Sequence, residues 1–193
     1  MRTFIGSWIP RGWLPALLLI AFPTPHLAGE SVDSLNPLFA ALPAARFVAV
    51  DGWERIRDPA IPLSRVSGLF LGIAADGSVA GSVVHVLSPG YGGDIALLAA
   101  FDPKGTLLRV NVVRHAETRC HVEALEDGSF LRRFEGLAPG DRIRLVVGAP
   151  GGAKGDIDAM SGGTVTSKAV SEGVAEARIA WFLADDARML KLP

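Results

Sequence analysis

Two apolar runs folded back about an Asp-Gly pair constrain this chain more than any other feature. "VSGLFLGIAADGSVAGSVVHVL", residues 66–87, has Asp76-Gly77 at its centre, the pair that most readily supplies the positive φ angles of a two-residue hairpin turn. "GDIALLAAFDPKGTLLRVNVVRH", residues 93–115, repeats the form about Pro103-Lys104-Gly105. Within it Val110, Val112 and Arg114 alternate with Asn111 and Val113, the period of a strand with one drier face. Only "SPGYGG", 88–93, joins the two units. Hairpins in direct succession predict antiparallel pairing.

The remainder adds helices to that sheet. Glu117–Phe134 reads as loop and helix, with Val122, Leu125, Phe130 and Phe134 as a buried stripe, and "RIRLVV", 142–147, as another strand. "GAPGGAKGDID", 148–158, is glycine-rich and reads as a loop. From Val165 the period becomes helical, with Val170, Val174, Ala177 and Trp181 on one face. Trp53 and Trp181 read as core aromatics. The expected fold class is α+β: a largely antiparallel sheet built from hairpins, with flanking helices and a C-terminal helix packed on it. A chain of 193 residues, 49% hydrophobic, has the length for one domain with its own core.

The N-terminus differs from the rest. "MRTFIGSWIPRGWLPALLLIAFPTPHLAGE" has Arg2 and Arg11, no acid before Glu30, and an apolar run from Trp13 to Phe22. That run is shorter than the about 20 residues that span a bilayer, and Pro10, Pro15, Pro23 and Pro25 oppose a longer helix. Residues 1–29 are read as a signal peptide or N-terminal membrane anchor, with the rest of the chain outside the cytoplasm. Residues 30–60 follow as a linker with a short helix near Leu35–Ala45, and residues 61–193 as the functional domain. A net charge of −1 gives no basic surface for phosphate backbones and argues against nucleic acid as a partner. One cysteine, Cys120, excludes an internal disulfide. His115, Cys120 and His121 lack the further ligand a metal site needs, and no C-x-x-C-H motif is present for haem. Cys120 reads equally as an inert thiol and as one activated by Arg119 and His121.

"DIDAMSGGTVTS", 156–167, concentrates hydroxyls where a glycine-rich loop meets the C-terminal helix. The start of a helix carries unpaired N–H groups and positive potential, so the stretch reads either as a helix cap made by Ser and Thr or as a place where an anion is held. It has neither P-loop spacing nor the G-x-S-x-G of a hydrolase nucleophile.

Three segments in order resemble a known family. Asp158-Ala159-Met160-Ser161-Gly162-Gly163-Thr164-Val165-Thr166-Ser167 is similar to the D-x-x-[ST]-G-A-T flavinylation motif, with Gly163 in place of alanine. Gly90-Tyr91-Gly92-Gly93-Asp94-Ile95 and, after the hairpin, His115-Ala116-Glu117-Thr118 resemble its G-Y-x-G-x-I and H-x-E-T blocks, and "FLRRFEG", 130–136, a later one. The family is the FMN-binding domain of the G subunit of the Rnf ion-translocating electron-transport complex, shared with the C subunit of the sodium-pumping NADH:quinone oxidoreductase. The resemblance covers roughly residues 60–185.

The resemblance implies FMN bound covalently through a phosphoester to Thr164, with Asp158, Ser161, Gly162 and Gly163 as motif residues and Glu117 and Thr118 near the cofactor. It implies a flavin transferase and the membrane subunits of an Rnf-type complex as partners, and residence at the cell inner membrane on its periplasmic side. It implies electron relay within a translocase, not independent substrate turnover. Thr166 and Ser167 are then left for the cap. Arg119-Cys120-His121-Val122 departs from the family's Pro-Gly-Leu-Gly. A stand-alone periplasmic FMN carrier, a reductase domain of another respiratory chain, and a non-redox module without flavin are the alternatives.

Overall fold

The computed structural model describes residues 42–44, 46–56, 60–61, 63–118, 123–148 and 152–191. Five strands form one antiparallel sheet in the order of the sequence: β1 (Arg46–Ala49), β2 (Val66–Ile73), β3 (Val79–Pro89), β4 (Asp94–Phe101) and β5 (Leu107–Arg114). The hairpins expected at Asp76-Gly77 and at Pro103-Lys104-Gly105 are β2–β3 and β4–β5. The Gly90–Gly93 connection makes β3–β4 a third, with Gly90 N–H donating to the Gly93 carbonyl at 2.9 Å. β1 pairs with β2, so the sheet begins within the stretch read as linker. The helix expected near Leu35–Ala45 and the signal or anchor at 1–29 lie outside the described residues, apart from Leu42–Ala44, which are not helical.

Beyond the sheet come a four-residue helix α1 (Glu123–Glu126), a 3-10 turn at Leu131–Phe134, and strands β6 (Arg144–Val146) and β7 (Asp156–Asp158). β6 and β7 pair with each other, in parallel. The expected loop 148–158 thus ends in a strand; three residues of one partner leave too short a pattern for periodicity to register. Leu125, Phe130 and Phe134 are buried as expected, while Val122 lies outside the described residues. The chain finishes in a long helix, α2 (Thr164–Asp186). No helix among the described residues is long and apolar enough to cross a membrane.

α2 lies across β3 and β4 and buries Val170, Val174, Ala177 and Trp181, the face read from the sequence. Trp53 joins the same core, and Trp181 packs beside Phe101 with ring centroids 6.2 Å apart. A second, smaller cluster of Leu42, Phe70, Val83, Leu98 and Ala100 covers the other side of the sheet, which explains why the central strands are apolar on both faces. The helix ends in a Schellman turn, with Arg188 at φ 59° and bonds from Arg188 N–H to Asp185 and from Met189 N–H to Ala184.

Helix and sheet approach closely at Gly173. A Cβ there would stand 2.9 Å from Leu97 Cδ1, 3.2 Å from Ser88 Cβ and 3.3 Å from Val86 Cγ1, and Ser88 adds a hydrogen bond to the Ala169 carbonyl at 2.6 Å. Gly173→Leu therefore overpacks this contact. Chemical denaturation is expected to show a loss of about 1–3 kcal/mol, and unchanged stability would show that the helix rides further from the sheet.

Candidate functional site

The glycine-rich turn before α2 sets the site. Met160 to Gly163 close a turn, with Gly163 N–H donating to the Met160 carbonyl at 3.0 Å. Gly162 takes φ +72° within it, a conformation that glycine adopts without the penalty a Cβ brings. Gly163 is the N-cap of α2, and no side chain among the described residues caps the helix. The cap expected from Thr166 and Ser167 is therefore not what those hydroxyls do. Ser167 is fully buried; its hydroxyl donates to the Gly163 carbonyl at 2.8 Å and accepts from Met160 N–H at 2.9 Å. It staples the turn to the helix it precedes. Thr166, also buried, donates to Glu117 Oε2.

Glu117 is the centre of the arrangement. It is 8% exposed, and its other oxygen accepts Gly92 N–H at 2.9 Å. One carboxylate thus joins the Gly90–Gly93 loop to the first turn of α2. The loop is pressed close: a Cβ on Gly92 would overlap the Ala116 carbonyl oxygen, and one on Gly90 would overlap Glu117 Oε1. Neither position has room for a side chain. Glu117 N–H in turn donates to His115 Nδ1 at 3.2 Å, and His115 Nε2 lies 3.8 Å from Glu126. A buried carboxylate with donors on both oxygens is held in one orientation.

The third segment arrives from another side. Arg133, within "FLRRFEG", donates from Nη1 to the Asp158 carbonyl and lies over the Phe130 ring at 5.7 Å from its centroid. Asp158 is half-buried at the end of β7, Ser161 and Gly162 are exposed, Gly163 is buried, and Thr164 is exposed as the first residue of α2. Thr118 is exposed one residue past Glu117, with no bond to the helix start among the described residues. Arg119, Cys120, His121 and Val122 lie outside the described residues. Among those described, no group of three His, Cys, Asp or Glu side chains has the geometry of a metal site. The links Gly92–Glu117–Thr166 and Arg133–Asp158 were not legible in the sequence. The residues that make them are 25 to 49 positions apart, and the motif spacing gives order but not contact.

β6 and β7 are clamped below the turn by Arg144, whose Nε and Nη2 bond both oxygens of Asp156 at 2.8 and 2.7 Å. Gly152 and Ala153 N–H groups, both 3.1 Å away, add to the same carboxylate. The guanidinium first, and the Ala153 N–H after it, hold Asp156 well below the usual carboxylate range. A carboxylate lowered on folding contributes stability in full above its unfolded value of about 3.9, and loses it as pH falls through the folded value. Thermal unfolding followed from roughly pH 5 down to roughly pH 1.5 is therefore expected to show a shallower acid loss in Asp156→Asn than in wild type. Equal slopes would show that Asp156 contributes nothing to the acid response.

Comparison with known proteins agrees with the family resemblance seen in the sequence. Residues 90–178 match the FMN-binding domain family. The chain is 40% identical over 95 residues to the G subunit of the proton-translocating ferredoxin:NAD(+) oxidoreductase complex of Clostridium ljungdahlii, covering 49% of this chain and 50% of that protein. It is 28% identical over 101 residues to the G subunit of the Na(+)-translocating ferredoxin:NAD(+) oxidoreductase complex of Acetobacterium woodii, covering 52% of this chain and 48% of that one. The chain thus spans about half the length of the curated relatives it matches. Among solved structures, Shewanella oneidensis NqrC covers 76% of this chain and 81% of its own, at 22% identity and a TM-score of 0.49. The stretch matched by the family contains the Gly90–Gly93 loop, Glu117, Arg133 and the Asp158–Thr164 turn.

Proposed function

We propose, from an FMN-binding domain over residues 90–178 that is homologous to those G subunits, that this chain holds FMN as a phosphoester on Thr164 and relays electrons in a membrane complex of the Rnf type. The observation that carries the reading is a division among the hydroxyls around the helix start. Thr166 and Ser167 are buried and already bonded, Ser161 is exposed but lies in the turn before the helix, and Thr164 is exposed within a first turn that no described side chain caps.

The residues present fit the group. Thr164 supplies the ester oxygen, and the free N–H groups and positive end of a 23-residue helix favour a phosphate there. Gly162 and Gly163 put no side chain in its way. Asp158, Ser161 and Gly162 present the segment to a flavin transferase. Glu117 fixes the neighbouring loop, and Thr118 offers a further hydroxyl next to it. Attachment draws FMN from FAD: the Thr164 oxygen bonds to the FMN phosphorus, the bond to AMP breaks, AMP leaves, and the hydroxyl proton passes to solvent. Bound FMN supplies reversible electron acceptance, and the chain fixes its place and surroundings.

Residence at the inner membrane, facing the periplasm, rests on the export-like N-terminus. Partnership with the other subunits of such a complex rests on the two curated relatives, which are subunits of ferredoxin:NAD(+) oxidoreductase complexes. Covalent attachment would keep the cofactor in a compartment from which a dissociable one is lost. Co-expression with a flavin transferase, followed by intact-mass measurement, tests the reading. The wild-type chain is expected to gain one FMN with loss of water. A chain that stays at its unmodified mass, beside a control substrate that is modified, would end it.

A further inference from the structure

We propose that Tyr91 is the side chain on which the isoalloxazine of the Thr164-linked flavin stacks; the proposal rests on the reading above and adds the residue that orients the ring. Tyr91 is 74% exposed, an unusual position for a large aromatic. It is not on a loose loop. Its neighbour Gly92 is bonded to Glu117 and touches Ala116 so closely that no Cβ fits, and Gly90 is bonded to Gly93 across the turn. The loop therefore holds Tyr91 in the open at a fixed place.

That place is beside the helix start. Gly92 and Thr166 bind the two oxygens of one carboxylate, and Thr164 is two residues earlier in α2, about 3 Å along the axis and about 200° round it, so a cofactor tethered there reaches the loop by passing round the first turn. A ribityl chain with three fused rings, tethered at Thr164, is long enough to cross that gap. Val165, 53% exposed next to the attachment point, extends the apolar surface available to it. Other large aromatics are less suited. Trp53 and Trp181 are in the core, and Trp181 is 17 residues further along α2, about 25 Å by helical rise. Offset stacking of an electron-rich phenol on the ring would set its orientation and bias its potential.

Tyr91 is the one tyrosine of the chain, which makes the test specific. A phenol stacked on an excited flavin lends it an electron that returns in the dark, so emission is quenched; a phenylalanine stacks but does not quench. The wild type, Tyr91→Phe and Tyr91→Ala are flavinylated by co-expression with the transferase, and FMN content is verified by intact mass. Flavin emission per bound FMN is expected to rise several-fold in both variants. The visible circular dichroism of the flavin is expected to persist in Tyr91→Phe and to collapse in Tyr91→Ala. Equal emission from wild type and both variants, all carrying FMN, would overturn the stacking and leave Tyr91 as a contact for another protein. A wild-type chain with no added FMN would overturn the attachment reading and this one with it.

Discussion

Thr164→Val is expected to give a chain that folds as the wild type does and takes up no covalent flavin. Valine keeps the shape and the branched Cβ of threonine and removes the oxygen. Thr164 is exposed at the first helical position, so the change is expected to alter stability by no more than about 0.5 kcal/mol. Thr166→Val is the informative contrast. Its hydroxyl binds buried Glu117, and its loss leaves a carboxylate oxygen short of a donor, at a cost of about 1–3 kcal/mol. It should reduce stability and leave FMN attached. Intact mass and thermal denaturation of the two variants together separate the roles. FMN retained on Thr164→Val, with attachment lost in Thr166→Val, would reverse the assignment.

The largest expected effect on stability is elsewhere, at Glu176. This residue is on the sheet-facing side of α2 and is 4% exposed. It accepts the Arg65 backbone N–H at 2.9 Å and the Arg65 guanidinium, and so fixes the segment entering β2 against the helix. Glu176→Leu leaves both donors without that acceptor. Breaking a buried pair costs about 3–5 kcal/mol. Arg65 is partly open to solvent and keeps Glu172 at 2.7 Å, which reduces the expected loss to about 2–4 kcal/mol and the melting temperature by on the order of 10 °C. Glu172→Gln, which breaks the more exposed arm, is expected to cost no more than about 1 kcal/mol. Similar losses from both would mean that the pair acts as a surface network and that burial contributes little.

Thr164 and Glu176 lie on opposite sides of what a linear reading reaches. Thr164 stands out in the sequence because the motif it ends is local: residues 158–164 are contiguous, and the helical period begins immediately after them. The sheet was legible for the same reason, since its hairpins join strands that are neighbours in sequence and their turns carry Asp-Gly and Lys-Gly signatures. Glu176 was not legible. A glutamate beside an apolar helix stripe looks like a solvated position until its partner is known, and that partner is 111 residues away. Thr166 and Ser167 show the same limit. Hydroxyls at a helix start satisfy the preference for caps, and composition cannot tell a cap from a staple or a buried donor.

The antiparallel meander, the buried face of the last helix and the order of the motifs could all be read from the linear chain. Each depends on spacing within one segment, where the strand and helix periods act directly. It took the folded arrangement to show that Glu117 bridges Gly92 and Thr166, that Arg133 holds the carbonyl of Asp158, that β6 and β7 pair in parallel, and that Tyr91 stands exposed on a pinned loop. Those facts depend on how segments distant in the chain pack. Packing selects one arrangement through the shape of the core and the need to pair every buried charge, and neither condition is written in any single stretch of residues.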